Sequence, residues 1–195
     1  MKNQKKFSLS RLFISLGILL LAGAAVLMIA WQWNIHTAAQ KAESYVHMLR
    51  TVMPAPQGAV VQQRSNNTMP ALSLGGTDFA GILEMPRFDS ALPVGADWGN
   101  SSKFPCRFDG SIYDGSMQIG ATSQKGQYDF YRQIAVGDPV FFTDMEGNRY
   151  AYIITDLRYE QHADQAALRR KEAPLTLFIK NVYALEYIVV FCDAA

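Results

Sequence analysis

Residues 173–181 read APLTLFIKN. From Leu175 to Ile179 the run is apolar and partly β-branched, the composition of a strand buried in an interior. It then delivers Lys180, a full charge, at its end. The question is what else reaches the place where this strand stops. The sequence on either side predicts more short strands between turn signals. These are GILEMP (81–86), ALPVG (91–95), MQIGA (117–121) and, after the lysine, YIVVFC (187–192). PVFFTD, MEGN and RYAYIITDLRYE (139–160) predict a hairpin around a Gly-Asn turn. YDFYRQI (128–134) fits a helical turn or a strand, and ADQAALRRKEA (163–173) a short helix or helical loop. The expectation is a mainly β domain, a barrel or a sandwich, with one or two short helices.

The chain has 195 residues, 49% hydrophobic, which suits one globular domain with something added. Its net charge of +1 gives no basic field for nucleic acid. The charges are unevenly placed. Lys2, Lys5, Lys6 and Arg11 precede the first carboxylate, Glu43; without them 14 bases face 17 acids. Residues 12–31, LFISLGILLLAGAAVLMIAW, carry no charge. As a helix they rise about 30 Å, the hydrocarbon thickness of a bilayer. The bases before them, and Trp31 and Trp33 at the far end, predict a single-pass anchor with residues 1–11 cytoplasmic and the bulk outside. A cleaved signal peptide has a shorter apolar core, about 7–15 residues. Residues 32–53 continue as a membrane-proximal helix that Pro54 and Pro56 end. Residues 54–76, rich in Pro, Gly, Gln, Asn and Ser, read as a flexible stalk, which leaves 77–195 as the outer domain.

Common chemical signatures are missing from this sequence. LGGTDFAG (74–81) has glycines but no GK[ST] and no helix after it, so it is not a phosphate loop. His36, His47 and His162 are scattered, the two cysteines have no CxxC spacing, and there is no HExxH; no metal site is expected. A Cys-His pair would have to use His162, which sits in the polar run YEQHADQ. Cys106 and Cys192 both fall in the outer portion, where a disulfide is permitted; two buried free thiols are the alternative.

Four stretches in order carry a resemblance. FAGILEMPRFDSALPVG (79–95), PCRFDGSIYDGSMQIGA (105–121), QYDFYRQIAVGDPVFFTDMEGNRYAYII (127–154) and APLTLFIKNVYALEYIVVFC (173–192) resemble successive segments of a sortase. Sortases are membrane-anchored cysteine transpeptidases of Gram-positive bacteria, and the likeness is to a clostridial-type, class B-like branch. It covers about Phe79 to Asp193 and implies a closed sortase-type β-barrel, no cofactor, and a threonine–glycine sorting signal as the family's substrate.

Ungapped threading puts Thr122 at the position of the family's histidine, Lys180 at its cysteine and Tyr187 at its arginine. All three catalytic roles are then vacant. Cys106 and Cys192 match a cysteine pair outside the active site of that branch, which implies a disulfide. The resemblance thus implies a pseudoenzyme that binds a sorting-signal-like peptide, a pilin or surface protein, or an active sortase. Lys180 then plugs or solvates a disused cleft, with Glu186 as its partner, or joins Tyr187 in holding an anionic group such as a peptide carboxylate. A Thr122–Lys180 dyad with non-standard chemistry is the enzymatic alternative, and a structural envelope protein with an unused cleft the third.

Overall fold

The computed structural model describes residues 9–58, 68–101, 103–124, 126–161, 173–182, 184 and 186–195. The chain divides into two units, residues 1–37 and 38–195. Helix α1 covers Leu9–Val52 and ends two residues before Pro54, since a proline disfavours helical backbone in the residue before it. Within it, Phe13–Trp33 is long and apolar enough to cross a membrane, and none of it is buried.

In the second unit the expected strands form, together with three that the sequence does not announce, β1, β2 and β5. Gln57–Gly58 is β1 and Leu72–Leu74 is β2. Thr77–Met85 (β3) and Ser90–Gly95 (β4) make an antiparallel pair. Cys106–Asp109 (β5) pairs antiparallel with Met117–Thr122 (β6). Pro139–Asp144 (β7) and Asn148–Glu160 (β8) are the expected hairpin, turned at Gly147 with φ 84, a backbone angle that favours glycine. Leu175–Lys180 (β9) and Tyr187–Ala194 (β10) close the chain. The 128–134 segment is a turn with a 3-10 helix at Tyr131–Gln133, and the helix expected over 163–173 lies outside the described residues apart from Ala173.

The sheet order β8-β10-β9-β6-β5-β4-β3 is closed by β7, which pairs with both β3 and β8. The product is a closed eight-stranded β-barrel. Alternation of side chains along each strand decides what faces in. Met117, Ile119 and Ala121 of β6, Leu175, Leu177 and Ile179 of β9, and Ile188, Val190 and Cys192 of β10 share the interior core with Leu83, Phe142, Tyr128 and Ile154. The opposite face of β9 and β10 carries Phe178, Val189 and Phe191 in a separate outer cluster with Ala173. The strand at 175–179 is therefore buried on both faces, as its continuous apolar run predicts.

Outside the barrel, α1 buries Ala42, Val46 and Leu49, spaced i, i+4, i+7 along one stripe. Val46 and Leu49 pack with Phe79, Ile82, Phe104 and Cys106. Arg50 Nη2 meets Glu84 Oε1 at 2.7 Å, and Arg149 Nη2 takes the other carboxylate oxygen at 3.0 Å.

Two expectations need correction. Segment 54–76 is not simply a stalk: β1 pairs with β8, β2 pairs with β3, and Met69 is buried against the barrel core. Residues 59–67 of it lie outside the described residues. Nor is there a Cys106–Cys192 disulfide, for both cysteines are free and buried. Strands β9 and β6 separate β10 from β5, so three inter-strand steps of about 4.8 Å intervene, while a disulfide needs Cα atoms within about 7 Å. The two also face opposite ways. Cys192 points into the barrel, whereas Cys106, paired with Gly120, belongs to the outer cluster under the helix.

Candidate functional site

Strands β6, β9 and β10 are adjacent, and their register sets a row. Thr122 is the partner of Lys180, and Lys180 is the partner of Tyr187. Neighbouring positions across such a row lie about 5 Å apart. The residues beside them, Ala121, Ile179 and Ile188, face the interior, so alternation turns all three to the outer face of the wall. Thr122, Lys180 and Tyr187 thus come together at one end of three strands. Lys180 is exposed, while Thr122 and Tyr187 are half-buried.

Hydrogen bonds hold the ends of these strands. Ser123 N donates to Lys180 O at 2.9 Å, and Val182 N donates to Ser123 Oγ at 3.1 Å. Asn181, almost fully buried, donates through N to Glu186 O at 3.0 Å and through Nδ2 to Glu186 Oε1 at 2.7 Å. Glu186 is therefore engaged by Asn181 and not by Lys180, which corrects the expected ion pair. Among the described residues Lys180 has no carboxylate partner. Thr122 is held from the other side: its N at 2.7 Å and its Oγ1 at 3.0 Å both donate to Gln127 Oε1. A hydroxyl whose proton rests on an amide oxygen is not poised on a base.

Below the row, the outer face is aromatic. Phe178 lies 5.0 Å from Phe108 and 5.5 Å from Trp98, centroid to centroid. Gly120 allows this approach. A Cβ there would stand 2.2 Å from Phe178 Cζ and 2.5 Å from Trp98 Cζ3. Trp98 keeps 40% of its surface exposed, a flat apolar face against Phe108 and Phe178.

The thiols are not in this row and are not primed. Burial pushes Cys106 up to about 12, with Asp97 adding to the effect against two backbone hydrogen bonds. Burial raises Cys192 further, with a contribution from Asp193. A thiol held protonated at neutral pH is no nucleophile. His162 lies outside the described residues.

A cavity of about 550 Å³ lies on another side, between α1, the turn after β3 and the turn at 126–130. Gln127 lines it, so this residue stands between the cavity and Thr122. Sequence reading missed Gln127, Trp98 and Phe108. Gln127 follows Thr122 by five residues in a stretch whose only visible signal is a polar side chain between turn residues.

No protein-family model matches the chain, and no curated protein matches it by sequence. Solved structures do. Sortase C-3 of Streptococcus pneumoniae aligns with TM-score 0.53 and 16% identity, over 83% of this chain and 84% of that one. Clostridium perfringens sortase C, solved with the C-terminal cell wall sorting motif, gives 0.53 and 13%, over 83% and 87%. Sortase A of Listeria monocytogenes gives 0.50 and 18%, over 60% and 87%. At such identities the likeness is one of fold, and the fold of this chain is the sortase-type closed β-barrel.

Proposed function

We propose that this chain is a membrane-anchored, sortase-fold pseudoenzyme that binds an extended, sorting-signal-like peptide on the outer face of β6, β9 and β10. The observation that carries this reading is the row Thr122–Lys180–Tyr187 at the strand ends. It gathers an ammonium and two hydroxyls where a transpeptidase would need a thiolate, an imidazole and a guanidinium. Lys180 offers a charge to a peptide carboxylate or carbonyl, Tyr187 a hydroxyl, and the Trp98–Phe108–Phe178 face an apolar shelf. The peptide would come from a surface protein, a pilin or an active sortase. The basic residues Lys2, Lys5, Lys6 and Arg11 before the span support a cytoplasmic N-terminus with the barrel outside, and a sortase-like role would set that barrel in the envelope of a Gram-positive cell. The sequence motifs favour a class B-like, clostridial-type branch.

The test is a titration of the purified full chain in neutral detergent with a peptide carrying a threonine–glycine sorting signal. It is read by tryptophan fluorescence and by intact mass. Saturable binding that Lys180→Glu abolishes, with no mass change, supports the reading. A covalent adduct would move the chain to the enzymatic alternative at Thr122 and Lys180. Absence of saturation, unchanged by any substitution in the row, would leave a structural envelope protein with an unused cleft.

A further inference from the structure

The row across the strand ends continues onto a fourth strand. Tyr187 pairs with Lys180 of β9 on one side and with Glu160 of β8 on the other. Directly opposite residues of an antiparallel pair share a face, so Glu160 stands on the outer face with Tyr187. Its own strand gives the same phase. Arg158 lies over the ring of Phe191, a member of the outer cluster, at 4.5 Å, and alternation returns to that face two residues later, at Glu160. The outer face thus presents an ammonium, a phenol and a carboxylate in order, one on each of three neighbouring strands.

These three groups are uncommitted. Among the described residues, the side chains of Lys180, Tyr187 and Glu160 make no hydrogen bond and no ion pair. The charged groups around them are engaged elsewhere: Glu186 accepts from Asn181 at 2.7 Å, and Arg158 pairs with Asp156 at 2.9 Å. Nor do Lys180 and Glu160 neutralise each other. Two strand steps, about 10 Å, separate them, and Tyr187 stands between. Opposite charges held apart on one face repel a ligand of either single sign at one end. A ligand that carries both charges at a matching distance is complementary at both ends. An extended polypeptide supplies one, because its residues i and i+2 project from one face with Cα atoms about 7 Å apart. The length of a glutamate and an arginine side chain covers the rest.

We infer that the row selects a dipolar peptide, with an acidic and a basic side chain two residues apart, its carboxylate on Lys180 and its guanidinium or ammonium on Glu160. This rests on the reading of the row as a peptide site and names the class of peptide it takes. Glu160 is then the residue that sets specificity.

The experiment is calorimetric titration of the full chain in neutral detergent at low salt with three blocked peptides. These are acetyl-Ala-Glu-Ala-Arg-Ala-amide, the same peptide with glutamine for arginine, and the same with glutamine for glutamate. The dipolar peptide should bind about threefold more tightly than either analogue, as expected for one exposed ion pair. Glu160→Gln should level the dipolar and arginine-free peptides, and Glu160→Lys should reverse their order, with an unchanged thermal melt checking the fold of each variant. Equal binding of all three peptides to wild type, or a preference for the dipolar peptide that survives Glu160→Lys, would overturn the inference and leave the peptide site standing. A glutamate-free peptide that binds as tightly as the dipolar one would overturn the role given to Lys180. Failure of all three to bind would overturn the peptide site itself, and this inference with it.

Discussion

Raising the pH from 8 to 10 should destabilise the native protein through its two buried thiols. An unfolded cysteine ionises near pH 8.5. Native Cys106 is pushed up to about 12 by burial, and Cys192 is raised as well. The folded state thus holds protons that the unfolded state releases, so stability is complete below about pH 8.5 and falls as pH rises toward the native values. At pH 10 an unfolded thiol with that reference value gains about 2 kcal/mol from ionisation, against a few tenths at pH 8. The pair therefore contributes a loss of roughly 4 kcal/mol across the interval. The measurement is urea denaturation of wild type and the Cys106→Ala, Cys192→Ala variant at both pH values, with a reductant present. Lost packing lowers the variant's stability at either pH, and other titrating groups are common to both proteins. The stability gap between the two should narrow by about 4 kcal/mol at pH 10. A gap that stays constant refutes the buried-thiol argument. Wild type that loses stability on adding reductant at pH 8 would restore the disulfide.

Three further outcomes follow from packing. Leu49→Ala, in a fully buried helix position, should cost about 2–5 kcal/mol in urea denaturation; a loss near zero would mean the helix is not part of the folded unit. Gly120→Ala forces a methyl against Phe178 and Trp98 and should cost about 1–3 kcal/mol, with an altered tryptophan emission spectrum reporting displacement of Trp98. Lys180→Ala should leave stability within about 0.5 kcal/mol, since the side chain is exposed and unpaired among the described residues; a larger change in thermal melting would reveal a structural role for the ammonium.

Much of the barrel can be read from the sequence because its strands carry the signal in their side chains. LTLFIK has a continuous apolar run because β9 lies between two strands with both faces covered. The 139–160 hairpin announces itself by its β-rich arms and Gly147. Strand β5 does not. It has four residues, a bulge between Arg107 and Asp109, and a single paired position with β4, too little for any periodicity to show. β1 and β2 escape for another reason. Backbone groups do the pairing, and a two- or three-residue strand forms whether its side chains look like a stalk or not.

The site divides along the same line. Thr122, Lys180 and Tyr187 can be proposed from motif order, but their alignment in one row is a property of register, which no local pattern encodes. The disulfide expectation failed on facing: whether Cys106 looks in or out depends on its pairing with Gly120. Gln127 gives no sequence signal, because its partner Thr122 becomes a neighbour only when the chain folds back after β6.

The opposed thiols amount to a pair of built-in clocks. Cys106 sits under the helix, outside the barrel wall, and Cys192 sits inside it. A thiol reagent added to the native protein reaches the first when the helix lifts away and the second only when the barrel itself opens. Local openings are commonly cheaper than global ones, so Cys106 should be modified first. The interval between the two modifications would time how independently this helix breathes from the barrel it covers.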